Sequence, residues 1–251
     1  MSDLTSIPER LAANPAPGAA GRPIHWRQQV FLLRRGIAAV RYARQIPIAT
    51  LEEAFPGVGG LTVEMTYQYE TRGLPHGLAY IISCVTAYLA PKRIFELGTG
   101  AGGGTLLMAR QAPDATIDTL DLGEESSSLG TLRGDLPLET EAVGRVYAGT
   151  PESAQITQHL GDSASFDFSP FRGQMDLVLV DGAHTYDYVM TDSRSAFSMV
   201  APGGVILWDD CHLYHPGVSR ALAELRAQGH PIVRFDAARM AFMRTAPESR
   251  R

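Results

Sequence analysis

The chain is poor in lysine and cysteine and has no long apolar run. Lys92 is its only lysine, and the other basic residues are arginines. Its two cysteines, Cys84 and Cys211, are too few for a four-cysteine metal site, and they could form at most one disulfide bond. We therefore expect two reduced thiols in a cytoplasmic protein. The longest nearly apolar stretch, residues 77–90, is too short to cross a bilayer.

Positive charge is also scarce. The net charge is −5 and the isoelectric point is about 5.8, which argues against a general nucleic-acid binder. Residues 1–4 have neither the basic start nor the apolar core of a secretory signal. We therefore expect neither a nucleic-acid partner nor a membrane partner.

The composition divides the chain into three parts. Residues 1–23 include a stretch rich in proline, alanine and glycine without periodicity, and are expected to form a mobile arm. Residues 24–90 contain two helical patterns, 24–44 and 75–89, and are expected to form a helical cap or oligomerisation segment. An apolar stripe on the first pattern favours a homodimer. Residues 91–251 are expected to form the catalytic domain.

From residue 91 onward, short apolar runs alternate with helical patterns, which is typical of a parallel sheet covered on both faces. The predicted fold is therefore α/β, Rossmann-like and doubly wound, with a helical appendage at its N-terminus. The predicted strands are Arg93–Leu97, Thr116–Leu120, Ile156–Leu160, Met175–Val180, Val205–Trp208, Pro231–Phe235 and Met240–Arg244. The predicted helices are Gly104–Gln111, Tyr186–Val200 and Val218–Gln228. Asp187 and Asp192, on the second helix, are expected to be solvated.

Carboxylates stand at the ends of the five central strands. In an open parallel sheet the ligand lies beyond the carboxyl ends of the strands. Acidic residues also cap helices, but capping alone does not account for five such ends in succession. The candidate ligand contacts are therefore Glu96, Asp121, Asp162, Asp181 and the pair Asp209-Asp210.

A glycine-dense turn follows the first of these carboxylates. Residues 96–105 read Glu-Leu-Gly-Thr-Gly-Ala-Gly-Gly-Gly-Thr. Glycines permit a tight turn close to a ligand, and the helix behind them presents unpaired N–H groups. A carboxylate two residues before the first glycine would repel a pyrophosphate but would attract an amino group or a sulfonium. The predicted cofactor contacts here are Glu96, Gly98, Thr99, Gly100 and Gly102.

Two further positions are candidates for the nucleoside part of a cofactor. Asp121 is suited to accept hydrogen bonds from both ribose hydroxyls. Asp162 and Ser163 could hold an adenine ring, although Asp162 could equally be a helix N-cap.

Residues 96–105, together with Asp121 and Asp162, resemble the first three motifs of class I S-adenosylmethionine-dependent methyltransferases. The resemblance covers roughly residues 75–245. It implies a seven-stranded, mostly parallel sheet whose last strand runs antiparallel. It also implies that Glu96 and the glycine turn face the methionine part of S-adenosylmethionine.

The last two carboxylate positions predict a metal site. Asp181, Asp209 and Asp210 follow neighbouring strands, where they would repel one another unless a cation or protons intervene. Three oxygen ligands suit Mg²⁺ first, with Mn²⁺ or Ca²⁺ also compatible. The arrangement resembles the metal-dependent O-methyltransferases of the catechol and macrocin types, which implies that these three residues are the ligands. Asp181 is also counted among the cofactor contacts.

Two histidines are candidates for the catalytic base. His212 lies two residues after Asp210, and His184 occupies a position where the catechol type often has a lysine. We favour His212, which would accept the proton of a metal-coordinated substrate hydroxyl before the hydroxyl oxygen attacks the sulfonium methyl. The expected substrate is a small natural product, sugar or phenol. Tyr214 and His215 are expected on the substrate side, and Trp208 is expected to pack in the sheet.

Three alternatives remain at this point. The glycines from Gly98 to Gly103 also satisfy the pattern of a nicotinamide-dependent oxidoreductase. A relative that keeps the fold without catalysis is the second alternative. The third is an enzyme resembling the cephalosporin hydroxylases, a family that shares the fold and the metal site.

Overall fold

The computed structural model describes Ile37 and the ranges 40–63, 76–122, 142–212, 215–236 and 238–248. The arm predicted over residues 1–23 lies outside the described residues, as do most of the first predicted helix and Tyr214.

One mixed sheet organises these residues. Its strands in chain order are β1 (Ile48–Ala49), β2 (Arg93–Leu97), β3 (Thr116–Asp121), β4 (Ile156–Leu160), β5 (Met175–Val180), β6 (Val200–Trp208), β7 (Val233–Phe235) and β8 (Ala241–Arg244). Their order across the sheet is β1-β7-β8-β6-β5-β2-β3-β4. Strand β8 is antiparallel to β6 and β7, and all other pairs are parallel. The predicted mostly parallel sheet with an antiparallel last strand is confirmed.

The sheet has eight strands rather than the seven predicted. The additional strand is β1, which pairs parallel to β7 with Ile48 opposite Arg234. Arg234 N–H donates to the carbonyl of Pro47, and Asp236 N–H donates to the carbonyl of Ala49. A strand of two residues has no period that a sequence pattern could reveal. It pairs with the edge of β7 that β8 leaves open.

Helices cover both faces of the sheet. They are α1 (Leu51–Ala54), α2 (His76–Leu89), α3 (Gly103–Gln111), α4 (Tyr186–Met199) and α5 (Pro216–Ala227). The three helices predicted after residue 91 correspond to α3, α4 and α5, with ends that agree within two residues. Within the described ranges, none of the helices has the length and apolarity that a bilayer crossing requires.

The strand β5 shows how the core is divided. Its residues point alternately to opposite faces, as expected for a strand. Leu177 and Leu179 join the apolar cluster that includes residues of α2 and α3. Val178 and Val180 join the cluster that includes residues of α4 and α5. Both faces of the central strands are therefore buried, which confirms the doubly wound arrangement.

Candidate active site

The glycine turn after β2 is closed by tight backbone contacts. Gly98, Gly100 and Gly102 have φ angles of +99°, +51° and +92°, in the region that favours glycine. A Cβ atom on Gly98 would lie 2.1 Å from the carbonyl oxygen of Asp181. A Cβ atom on Gly102 would lie 2.6 Å from the ring of Tyr147. The turn is therefore fixed against the end of β5 on one side and an aromatic ring on the other.

Glu96 lies beneath this turn and is only 1% exposed. Its Oε2 accepts hydrogen bonds from Thr105 Oγ1 at 2.5 Å and from Thr119 Oγ1 at 2.6 Å. Burial raises the pKa of Glu96 to about 7, although the two threonine hydroxyls oppose the shift and the charge of Asp121 adds to it. The predicted cofactor contact is therefore a buried carboxyl group that titrates near neutral pH.

Thr99 is buried in a chain of neutral polar groups that continues from Glu96. Its Oγ1 lies 2.7 Å from Thr119 Oγ1 and accepts a hydrogen bond from Gln158 Nε2 at 3.0 Å. The hydroxyl of Tyr147 donates to Oε1 of Gln158. The Thr99 side chain thus stabilises the turn through these hydrogen bonds. The backbone of Thr99 is therefore the part available to a cofactor. Sequence reasoning missed Gln158 and Tyr147, since neither lies in a recognisable motif.

Asp121, at the end of β3, contacts the turn directly. Its Oδ2 accepts a hydrogen bond from Gly100 N–H at 2.8 Å. Asp162, which follows β4, accepts hydrogen bonds from Ala164 N–H at 3.0 Å and from the Tyr188 hydroxyl at 3.1 Å. The residues after Asp162 form a turn and not a helix. Asp162 therefore caps a turn, and the alternative interpretation as a helix N-cap is wrong.

Asp192 is buried, whereas the sequence pattern predicted that it would be exposed to solvent. It lies on α4 with 1% exposure, and burial raises its pKa to about 6, partly opposed by a hydrogen bond with Ser163 and increased by the charge of Asp162. Its Oδ1 has no hydrogen-bond partner in the described part of the chain. Ser163, a predicted adenine contact, is therefore engaged with α4. Asp187 is exposed, as expected.

The structure brings Asp181, Asp209 and Asp210 together. Strands β5 and β6 are parallel neighbours, and their last residues, Val180 and Trp208, are directly paired. One carboxylate oxygen from each of the three aspartates lies within 4.8 Å of the other two. Asp210 has a φ of +57°, which is uncommon for a residue with a side chain and costs conformational energy.

The three carboxyl groups differ in their charge states. Burial and the charges of neighbouring carboxylates raise the pKa of Asp181 well above its usual range. Burial and the charge of Asp210 also raise the pKa of Asp209, although Arg239 opposes the shift. Burial alone would raise the pKa of Asp210, but hydrogen bonds from His184 and His212 and the charge of Arg239 hold it below its usual range. Asp210 therefore carries the stable negative charge of the cluster.

Three histidines and one arginine surround the Asp210 carboxylate. Its Oδ2 lies 2.7 Å from His184 Nε2 and 3.6 Å from His215 Nε2. Its Oδ1 lies 2.9 Å from His212 Nε2 and 3.1 Å from Arg239 Nε. Both predicted base candidates therefore contact one carboxylate, through different oxygens.

Sequence reasoning missed Arg239 and the full role of His215. Arg239 lies between β7 and β8, and its Nη2 is 3.3 Å from Asp209 Oδ2. No motif marks this position, since the hairpin only meets β6 in the folded sheet. Burial lowers the pKa of His215 to about 4, with a contribution from the charges of His184, His212 and Arg239, while Asp210 opposes the shift.

A small cleft opens beside the acidic cluster. Its lining includes Asp181, Gly182, His184 and Asp209. Trp208 also borders this cleft but is 1% exposed, and its Nε1 donates to Ser193 Oγ at 2.9 Å. Trp208 therefore packs in the sheet, as predicted.

Residues 95–211, just under half of the chain, match the family model described as a methyltransferase domain. No curated protein sequence matches the chain.

Solved structures share the fold. The O-methyltransferase TomG from Streptomyces achromogenes, involved in tomaymycin synthesis and solved with S-adenosylmethionine, is 17% identical, with 79% of this chain and 100% of that chain covered and a TM-score of 0.51. Cofactor-bound Rv0187 from MTB is 14% identical, with 99% and 100% covered and a TM-score of 0.53. The O-methyltransferase from Bacillus cereus, in complex with S-adenosylhomocysteine, is 14% identical, with 78% and 90% covered and a TM-score of 0.50.

At these identities the structural likeness establishes the fold alone. Residues 95–211 are therefore similar to a methyltransferase domain, and the chain shares a Rossmann-like fold with methyltransferase structures that contain S-adenosylmethionine or S-adenosylhomocysteine.

Proposed function

We propose that the protein is an S-adenosylmethionine-dependent, divalent-metal-dependent O-methyltransferase that acts on a hydroxyl of a small molecule. The observation that carries the proposal is the gathering of Asp181, Asp209 and Asp210 within 4.8 Å, next to the glycine turn. The two features adjoin, because Gly98 packs directly on the backbone of Asp181. The fold is shared with O-methyltransferases solved with S-adenosylmethionine or S-adenosylhomocysteine, which supports the proposal.

The glycine turn suits the methyl donor. A Cβ atom on Gly100 would meet no described atom within 4 Å, so none of the described residues fills the space beside the turn at this point. The N-terminus of α3 presents backbone N–H groups beside that space. S-adenosylmethionine supplies the methyl group as a sulfonium, and the ionised form of Glu96 beneath the turn would favour its positive charge. Asp121 would bind the ribose hydroxyls, with Asp162 and Ser163 near the adenine.

The acidic cluster suits a divalent cation. Oδ1 of Asp209 is buried and has no hydrogen-bond partner among the described residues. Buried polar atoms normally have partners, so this oxygen indicates a missing ligand. A cation bound there would lower the pKa of a substrate hydroxyl and relieve the repulsion among the carboxylates. Mg²⁺ is the ion predicted from carboxylate ligands alone.

The proton of the substrate hydroxyl would pass to a histidine. The ionised Asp210 orients His212 through Oδ1 and His184 through Oδ2, and it would stabilise either ring after protonation. We favour His212, and we test both with His212→Gln and His184→Gln. Wild-type turnover in both variants would remove the histidine base from the mechanism.

Ligand binding tests the proposal directly. We expect calorimetry to show binding of S-adenosylhomocysteine and none of NADPH. The opposite result would favour the nicotinamide-dependent oxidoreductase. A panel of catechols, other phenols and sugars, incubated with S-adenosylmethionine and MgCl₂, should then reveal an acceptor whose mass rises by one methylene unit. Binding of the cofactor without transfer to any acceptor would favour a relative that does not methylate.

We also propose a homodimer formed through the N-terminal segment. The proposal follows from the apolar stripe predicted over residues 24–44. Light scattering on the full chain and on a chain lacking residues 1–36 tests it, because this truncation leaves the buried Ala43 in place. A dimer that persists after truncation would place the interface elsewhere.

A further inference from the structure

We propose that the cation is a transition-metal ion bound by Asp210 together with His184 and His215, and not a magnesium ion held by carboxylates alone. The role of this ion in catalysis rests on the proposed function, which the inference refines. The binding of the ion is supported by the positions of the two histidines relative to Asp210. Nothing in the sequence pattern suggested His215 as a ligand.

The three candidate ligand atoms lie close together. Oδ2 of Asp210 lies 2.7 Å from His184 Nε2 and 3.6 Å from His215 Nε2. One ligand atom of each residue lies within 4.8 Å of the others. Around an ion with bonds of about 2.1 Å, neighbouring ligand atoms lie about 3.0–3.4 Å apart. The observed distances lie on both sides of this range, so small side-chain rotations would complete the coordination.

The two oxygens of Asp210 have separate partners. Oδ1 contacts His212 and Arg239, while Oδ2 contacts His184 and His215. A cation at Oδ2 therefore leaves the arginine contact intact. A site made only of the three aspartates would have to compete with Arg239, which also contacts Asp209 Oδ2 at 3.3 Å. Two cations close together repel each other, which favours the side of Asp210 away from the guanidinium.

The backbone holds the two histidines side by side. A Cβ atom on Gly217 would lie 2.5 Å from the carbonyl oxygen of His184. The start of α5 therefore packs against the loop after β5, and it places His215 next to His184. The two imidazole rings lie 4.1 Å apart between centroids, with 38° between their planes. Both side chains are 27% exposed, so an ion can reach them from solvent.

A second observation at the same place indicates a ligand. Asp209 is 5% exposed, and its Oδ1 has no hydrogen-bond partner among the residues that the structure describes. Its carboxylate lies within 4.8 Å of those of Asp181 and Asp210. These two aspartates could supply further oxygen ligands on the same ion, directly or through water.

The donor set decides the class of ion. Mg²⁺ prefers oxygen ligands, whereas two imidazoles with a carboxylate suit Mn²⁺, Fe²⁺, Co²⁺ or Zn²⁺. With His184 bound to the ion, His212 remains as the residue that accepts the substrate proton. The inference therefore also separates the roles of the two base candidates.

Metal titration of the untagged full chain tests this inference. After treatment with EDTA, the protein is titrated by calorimetry with CoCl₂, MnCl₂ and MgCl₂, and Co²⁺ binding is also followed by visible absorption. We expect Co²⁺ to bind more tightly than Mn²⁺, and both at least about tenfold more tightly than Mg²⁺. His215→Ala should weaken Co²⁺ binding at least about tenfold and change its absorption spectrum.

The matched control is His230→Ala. His230 stacks on Phe197 and is not among the residues that contact the Asp210 carboxylate. This variant should keep the Co²⁺ affinity and spectrum of the wild type. Circular dichroism and binding of S-adenosylhomocysteine establish that each variant is folded.

Two outcomes would overturn the inference. One is equal affinity of the wild type for Mg²⁺ and Co²⁺, and the other is unchanged Co²⁺ affinity and spectrum in folded His215→Ala. If either occurs while S-adenosylhomocysteine binds and methyl transfer proceeds with Mg²⁺, only the metal assignment fails. If Co²⁺ binds through His215 but S-adenosylhomocysteine does not bind, the assignment stands and the proposed methyltransferase activity fails.

Discussion

At the glycine turn, the carboxylates of Glu96 and Asp121 accept hydrogen bonds from threonine hydroxyls and from a backbone N–H. At the ends of β5 and β6, the carboxylate of Asp210 meets three imidazoles and a guanidinium. Both groups of acids lie at or just after the carboxyl ends of strands of one sheet, and both are recognised in the sequence by that position. The two groups have different hydrogen-bonding and ionic partners. These partners determine how much negative charge each group carries.

The difference follows from general electrostatics. Neutral donors stabilise a buried carboxylate less than cations do, so Glu96 keeps a pKa near 7 whereas Asp210 stays ionised. The glycine turn therefore combines the ionisable Glu96 and Asp121 with neutral hydrogen-bond donors, which suits a cationic cofactor. The other region is a charged site suited to a cation and to proton transfer.

Gly98→Ala should break the contact between the two regions. The added Cβ would lie 2.1 Å from the Asp181 carbonyl oxygen at a φ of +99°, so we expect the free energy of unfolding to fall by more than about 3 kcal/mol. Gly100→Ala is the matched control, since its φ of +51° costs only about 1 kcal/mol and its Cβ meets no described atom. Urea unfolding measures both. Equal losses would show that the close approach at Gly98 does not limit stability.

Glu96→Gln should remove a pH dependence that Glu96 imposes on stability. Its pKa is raised from 4.5 to about 7 in the folded protein, so the folded state binds more protons between these values. The stability of the wild type should therefore fall as pH rises through this window, by about 3 kcal/mol from this residue. Urea unfolding at pH 4.5 and pH 7.5 should show a smaller difference in the variant. An unchanged difference would mean that Glu96 is ionised throughout.

Asp210→Asn should abolish the charge on which the reaction region depends. The amide keeps the shape but cannot stabilise a protonated histidine, so kcat should fall by at least about 100-fold. Asp121→Asn, at the glycine turn, should instead raise KM for S-adenosylmethionine by about tenfold with kcat nearly kept. Steady-state kinetics with an acceptor from the panel distinguishes the two. A similar loss of kcat in both variants would contradict the division of roles.

Tyr147→Phe should have the smallest effect. The variant loses the hydrogen bond to Gln158 but keeps the ring that packs on Gly102, so unfolding should become easier by about 1 kcal/mol. Thermal unfolding and calorimetry with S-adenosylhomocysteine measure the outcome. A large loss of cofactor affinity would show that the neutral network positions the turn more tightly than its individual hydrogen bonds suggest.

Short apolar runs bounded by turns were enough to predict strands β2 to β8, because burial on both faces gives each central strand a distinct apolar signature. The convergence of Asp181 with Asp209 and Asp210 followed from the rule that parallel neighbours end at one edge. Sequence motifs alone could not predict the hydrogen bond between Thr119 and Glu96. It depends on the register that sets these two residues opposite each other.

What the sequence by itself determined is the layering of the sheet and the row of acids along its edge, since both depend on local periodicity and on strand ends. The tertiary structure alone decided which side chains from distant segments reach those acids. Arg239 arrives from the hairpin between β7 and β8, His215 from the start of α5, and Asp192 turns inward on α4. Local patterns cannot encode these contacts, because each depends on how separate elements pack in three dimensions.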